Sequence, residues 1–306
     1  MLFRVLSDYF SRMEATSKRL ELIEIVKDVI RESGEDIDIT LYLCEGKIAP
    51  DFMSKETGIA ESTIMKVIGQ ITGASEEEIM KEYSRTGDLG TVAQLFSGRV
   101  KQKSFFNSPL EAREVHESLL KISRIKGTGT ASEREKILAS LLLRANELES
   151  KYIVRIVNGK MRLGVSDSTI ISALRTLIRP DLEQSQVEEV YNFHPDMKYL
   201  YEVLSGKYGE IASGPEPLIP FKVMLAERMQ SLQEIFNKMG GKAALEYKYD
   251  GLRIQIHKKG KTLKTFSRGI EENTEQFPEI SNYFSSLPLE YECALKVIKL
   301  CVSYIL

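Results

Sequence analysis

Residues 245–257 read L-E-Y-K-Y-D-G-L-R-I-Q-I-H and gather Glu246, Lys248, Asp250 and Arg253 into one short stretch. A lysine amine is a poor nucleophile while protonated. A neighbouring cation or a nucleotide-bound metal lowers its pKa and frees the lone pair. With Arg253 close by, the Lys248 amine can attack the α-phosphorus of a nucleotide, forming a phosphoramidate as pyrophosphate leaves. Glu246 falls on the same face of a period-2 strand as Lys248, where it can accept a hydrogen bond from a base or a sugar hydroxyl. Gly251 has no Cβ to keep a ligand away from the backbone. The plainer alternative is a hairpin whose turn happens to be Asp-Gly.

Such a lysine must be held by strands. Apolar and polar residues alternate over 243–249 and 252–258, and a third strand is expected over 262–267. Leu252, Ile254 and Ile256 mark one face of the second strand, with Arg253 and Gln255 opposite. Lys259-Gly260 signals a hairpin. Short helices are expected near 230–239 and 274–286. Before them, S-G-K-Y-G-E-I-A-S-G-P-E-P-L-I-P-F-K, from Ser205, reads as a linker entering an extended segment.

Upstream, residues 1 to about 210 read as helix after helix. Leu2, Val5, Leu6, Tyr9, Phe10 and Met13 recur at helical spacing, as do Leu20, Ile23, Val26, Val29 and Ile30. Ile137, Leu138, Leu141, Leu142, Ala145 and Leu148 form another stripe. Ile170, Ile171, Leu174, Leu177 and Ile178 form one more, ending at Pro180. Ser108-Pro109-Leu110-Glu111 has the form of an N-cap, a first-position proline and a first-turn acid. Gly73, Gly87-Asp88-Leu89-Gly90, Gly127-Thr128-Gly129 and Gly159 punctuate the helices.

The chain of 306 residues is long enough for about two domains. Its 42% hydrophobic content is that of an ordinary globular protein. No apolar run reaches the roughly 20 residues that span a bilayer, and the N-terminus lacks a secretory pattern. Cys44, Cys293 and Cys301 are odd in number and lack metal-ligand spacing, which suits a reducing compartment. The histidines, His116, His194 and His257, are scattered and read as ordinary core or surface residues. Net charge is −2 but unevenly spread: −6 over residues 1–100, +7 over 101–179, −5 over 180–214 and +2 over 215–306. The basic block permits a phosphate-binding surface; a solvated helical face is the alternative.

Glu246-x-Lys248-x-Asp250-Gly251-x-Arg253 resembles the first signature of the lysine nucleotidyltransferases: ATP-dependent DNA ligases, RNA ligases and capping enzymes. Phe266-Ser267-Arg268 resembles the second signature of the DNA ligases, and Pro217–Ala226 resembles the entry segment of their archaeal and eukaryotic members, with Val223 where that group usually has proline. Gly87-Asp88-Leu89-Gly90, residues 126–136 and above all Y-I-V-R-I-V-N-G-K-M-R-L-G-V, residues 152–165, resemble the helical DNA-binding domain of the same group. The resemblance implies an all-α DNA-binding domain over 1–210, then the start of a β-rich adenylation domain over 211–306. It implies Lys248 as nucleophile, Glu246, Arg253 and Arg268 as nucleotide ligands, and Arg155, Lys160 and Arg162 as phosphate-neutralising cations. ATP and Mg²⁺ are the implied cofactors, with no protein ligand assigned to the metal, and nicked duplex DNA is the implied partner. A monomer recruited by a sliding clamp is expected, acting in replication, recombination and repair with no membrane. It would work at a cytoplasmic nucleoid, or in the nucleus if the source is eukaryotic.

Where that family carries a third signature, ending in acid-Gly-Glu, this chain has Lys296, Val297 and Ile298, and nothing matches afterwards. The expectation is therefore a truncated or frameshifted ligase whose tail, 297–306, has no sheet to join and is poorly ordered or wrongly paired. Two other readings stay open: a DNA-binding fragment without catalysis, and an RNA ligase or capping-type enzyme. The long helical region before Lys248 argues against the latter.

Overall fold

The computed structural model describes residues 1–53, 57–100, 108–125, 127, 130–209, 214–223, 227–245, 251–286 and 293–300. The chain divides into two compact units, residues 1–191 with 196–212, and residues 192–195 with 213–306.

The first unit is helical. Its elements are α1 (Phe3–Glu14), α2 (Arg19–Ser33), α3 (Ile37–Cys44), α4 (Glu61–Thr72), α5 (Glu76–Thr86) and α6 (Leu89–Ser97). Then come α7 (Ala112–Arg124), α8 (Ala131–Arg144), α9 (Glu147–Val157), α10 (Asp167–Ile178), α11 (Gln184–Phe193) and α12 (Met197–Leu204). Capping follows side-chain chemistry. Ser75 with Glu78 opens α5, and Asn146 with Glu149 opens α9, each as a reciprocal capping box.

The apolar stripes meet in one core. Phe3, Leu6, Phe10 and Met13 of α1 are fully buried, each worth about 1.5–3 kcal/mol against exposure. Helix α2 packs on α10, α1 on α9, α4 on α8, and α6 on α9. The stripe on α2 is shifted from the sequence expectation. Leu22, Ile25, Val26, Val29 and Ile30 are buried, while Leu20 is 78% exposed because it lies off the face that meets α10. Cys44 is buried in the same core.

The expected cap at Ser108 is also corrected. Helix α7 starts at Ala112, with Glu111 as N-cap. Residues 110–112 are instead tied to the chain start, Phe3 N–H donating to Leu110 O (2.8 Å) and Ala112 N–H to Met1 O (2.9 Å). A long-range backbone pairing has overridden a good local capping sequence.

The second unit holds α13 (Leu232–Lys238), β1 (Gly251–Lys259), β2 (Thr262–Phe266), α14 (Pro278–Ser286) and β3 (Cys293–Leu300). The sheet order is β2-β1-β3 and both pairings are antiparallel. The hairpin closes through Gly260-Lys261, with Lys259 opposite Thr262. Gly260 takes a positive φ of 58°, which a two-residue hairpin loop demands. The expected helix over 274–286 is a 3₁₀ turn, Thr274–Gln276, followed by α14.

Two further expectations are corrected. Residues 297–300 do have a sheet to join, since β3 pairs along β1 from Gly251↔Leu300 to Lys258↔Cys293. Nor does β1 alternate cleanly. Ile254, Gln255, Ile256, His257 and Lys258 are all buried, and Leu252 is half exposed. Gln255 is on the covered side because its amide substitutes for a strand: Nε2 donates to Phe221 O (2.7 Å), and Phe221 N–H donates to Oε1 (3.2 Å). Residues 243–245 are not strand, and 246–250, the rest of the first expected strand, lie outside the described residues.

Candidate functional site

Lys248, Glu246 and Asp250 lie outside the described residues. The two sequence-predicted arginines beyond them are described. The β1–β2 ladder runs from Lys259↔Thr262 to Gln255↔Phe266. The paired strand ends there, since Ser267 N–H donates to Glu271 O and Phe266 bridges Glu272, so Arg268 sits in the turn just past the end of β2.

The cations do sense each other. Burial, and then the charge of Arg268, hold the Arg253 pKa below its ordinary value. Arg253 Nε is buried without a hydrogen-bond partner, and neither arginine is ion-paired to a carboxylate among the described residues. Two guanidiniums near enough to interact, one with an unmet donor, leave positive charge suited to an anion with several acceptor oxygens. The Arg268 loop is shaped by local bonds. Ser267 N–H donates to Glu271 O (2.9 Å), Gly269 N–H to Ser267 Oγ (3.1 Å), and Ile270 takes a left-handed φ of 65°.

His257 supports β1 from within. It is fully buried, edge-on to Phe266 at 5.1 Å, and burial pushes its pKa down to about 4. It is a neutral core residue at pH 7.

In the helical unit, the residues picked out between α9 and α10 form an extended segment with alternating exposure. Lys160 and Arg162 face solvent; Met161 and Leu163 are buried. Arg162 adopts a left-handed φ of 57°, flanked by Gly159 (64°) and Gly164 (70°). A non-glycine residue in that region carries strain on the order of 1–2 kcal/mol, so the surroundings must impose it. Arg155 Nη1 donates to Met161 O (3.2 Å), Lys160 N–H to Arg155 O (2.9 Å), and Arg162 Nη2 to Gly87 O (2.8 Å). Met161 also packs where a Cβ on Gly46 would stand, 2.6 Å from its Cγ.

Arg155 itself is corrected from a phosphate contact to a buried anchor. Its side chain is 4% exposed. It donates to Asp88 Oδ2 through Nε (3.0 Å) and Nη2 (2.6 Å), and to Glu14 through Nη1 and Nη2 (both 3.0 Å). Burial disfavours its charge, but the Asp88 and Glu14 carboxylates outweigh that and hold its pKa above the ordinary value. Lys151 and the Tyr152 hydroxyl complete the shell of Glu14, at 2.8 and 2.9 Å.

The G-D-L-G element explains itself in this setting. Gly87 ends α5 in a left-handed conformation. Asp88 caps α6 through Gly90 N–H and holds Arg155. Leu89 is core. Gly90 lets α9 approach, since a Cβ there would stand 2.5 Å from Arg155 Cγ and 2.6 Å from Lys151 O. Sequence reading missed Glu14, Glu61, Tyr83 and Asn158 as neighbours of this segment. Only Asp88, between two glycines, carried a local signal.

Residues 2–175 match the family model for the DNA ligase N terminus, and residues 223–295 match that for the ATP dependent DNA ligase domain. The chain is 39% identical over 284 residues to the DNA ligase of Thermoplasma volcanium, covering 92% of this chain and 48% of that protein. It is 36% identical over 303 residues to the DNA ligase of Sulfolobus acidocaldarius, covering 94% and 50%. For the DNA ligase of Acidianus ambivalens the figures are 35% over 300 residues, 93% and 50%. The chain spans about half the length of these curated relatives. The N-terminal model covers more than half of the chain and the ATP-dependent model follows it in order, so this chain belongs to the ATP-dependent DNA ligase family.

Proposed function

We propose that the chain provides the DNA-binding region and the lysine-bearing part of an ATP-dependent DNA ligase. Lys248 takes AMP from ATP, the AMP passes to the 5′-phosphate at a nick, and the 3′-hydroxyl displaces it to seal the strand. The observation that supports this reading is the nearness of Arg253 and Arg268: the Arg268 charge helps hold the Arg253 pKa down, and Arg253 Nε is buried without a hydrogen-bond partner. Their charge suits the phosphates of ATP, with Glu246 reading its base or sugar. Mg²⁺, when bound, spreads the charge of the leaving pyrophosphate. Among the described residues no three His, Cys, Asp or Glu side chains are grouped so as to hold a metal ion.

The exposed Lys160 and Arg162, on a segment pinned from beneath, suit the backbone of nicked duplex DNA. The division of roles at 1–210 and 211–306, monomeric action, clamp recruitment and a nucleoid or nuclear location rest on the family alone. So do the roles in replication, recombination and repair. A second reading, duplex binding without AMP transfer, is favoured by Lys160 and Arg162, exposed cations that the helical unit holds without the lysine motif.

Incubation with ATP labelled at the α-phosphate, beside a Lys248→Ala control, separates the two. Covalent label on the parent chain alone is expected. An unlabelled parent that still binds duplex leaves the second reading standing.

A further inference from the structure

Glu61 opens α4, and its carboxylate collects three side-chain donors from separate parts of the helical unit. The Tyr83 hydroxyl on α5 donates to Oε2 (2.8 Å). The Asn158 amide at the end of α9 (3.3 Å) and the Lys160 ammonium (3.0 Å) donate to Oε1. Arg162 adds positive charge that acts on both Tyr83 and Lys160. The hydrogen bonds from Lys160, Tyr83 and Asn158 hold the Glu61 carboxyl below its ordinary pKa, so it is an anion across the physiological range.

The group is open to solvent, with the Glu61 side chain 36% exposed and that of Lys160 53%. An exposed ion pair contributes about 0–1 kcal/mol to stability. Three donors around one surface carboxylate are therefore more than a helix tie needs. They are the donor set that a phosphodiester takes: hydroxyl, amide and ammonium, beside a helix N-terminus that favours negative charge.

We propose that Tyr83, Asn158 and Lys160 form a seat for one backbone phosphate of duplex DNA, and that Glu61 occupies it in the unbound chain as an internal stand-in. This rests on the duplex-binding reading. Binding then exchanges one anion for another: the DNA phosphate takes the donors and the Glu61 carboxylate swings to solvent. The exchange costs affinity for every duplex alike and preserves the geometry of the seat while it waits.

The test is salt-dependent binding of a fluorescent nicked duplex by the full chain, read by anisotropy, for the parent, Glu61→Gln, Lys160→Ala and the double variant. Glu61→Ser serves as a second neutral replacement, and circular dichroism melts confirm folding. Glu61→Gln is expected to bind about three- to tenfold more tightly at low salt, as removal of one competing charge implies. Its plot of log K against log salt should keep the parent's slope, because the same phosphate is neutralised in both, whereas Lys160→Ala should flatten it by about 0.9. The gain should vanish in the Lys160→Ala background. A parent that binds while Glu61→Gln binds no tighter overturns the seat alone, as does a gain that survives loss of Lys160. A parent that fails to bind duplex even at low salt removes the duplex-binding reading and the seat together.

Discussion

Arg155 in the helical unit is enclosed by Glu14 and Asp88, whereas Arg253 and Arg268 in the strand-bearing unit have no carboxylate paired to them among the described residues. Apolar surface divides the same way. Helices α1, α2 and α9 each bury five or more side chains, while α13 buries none and leaves Leu232 69%, Phe236 42% and Met239 58% exposed. Charge that is satisfied inside a fold stabilises it and fixes a shape. Charge left unsatisfied beside a backbone turn is available to a ligand. The helical unit uses its buried ions to hold a surface segment; the strand-bearing unit leaves Arg253 and Arg268 without a carboxylate partner among the described residues.

The largest effect should come from breaking the satisfied side of this contrast. Arg155→Ala leaves Asp88 buried without its cation and releases Met161 O, so a loss of about 3–5 kcal/mol is expected, measured by urea unfolding of the parent and variant. A loss below about 1 kcal/mol would mean that the network is no more than a surface pair.

A smaller and pH-dependent effect is expected at Glu45, which lies under the same segment beside Gly46. Burial, opposed by Lys47 and reinforced by Asp167, pushes its carboxyl up to about 8 from an ordinary 4.5. Between those values the native state holds a proton that the unfolded chain has lost, so stability falls as pH rises through that window. Glu45→Gln removes the titration. Thermal melts should show parent and variant alike near pH 4.5 and the variant ahead at pH 8, by at least about 2–4 °C, the equivalent of 1 kcal/mol in a domain of this size. Equal melting temperatures at pH 8 would show that the carboxyl is not held neutral.

The smallest effect tests the other side. Phe236→Ser on α13 should change unfolding free energy by less than about 0.5 kcal/mol, as for any exposed position. A loss of core size, about 3 kcal/mol or more, would show that α13 packs in solution.

Much of the fold was legible. The helical stripes of α1 and α10, the hairpin after Lys259 and the change of character near residue 205 follow from period and punctuation, because local chain geometry dictates which residues share a face; the stripe read over 137–148 is divided, α8 ending at Arg144 and α9 opening at Glu147. Arg253 and Arg268 were legible as a pair only through their motifs; the influence of the Arg268 charge on Arg253 shows that the fold brings them near each other. What was not legible involved partners distant in sequence. Ser108 looks like a cap, but backbone pairing of residues 110–112 with the chain start moved the helix. Gln255 looks like a solvent-facing strand residue, but Phe221 needed its amide.

The sequence by itself determined the helix-then-strand order, the charge blocks and the identity of the reactive-looking lysine stretch, since these depend on residue type and short-range spacing. Only the tertiary structure decided which cations are spent and which are available. Arg155, Lys160 and Arg162 stand within eight positions of one another and carry the same charge. One is buried because α6 and α1 bring Asp88 and Glu14 to it across 67 and 141 residues of chain, and the other two face solvent because Met161 and Leu163 point inward. No local pattern specifies which carboxylates the packing of distant helices will deliver.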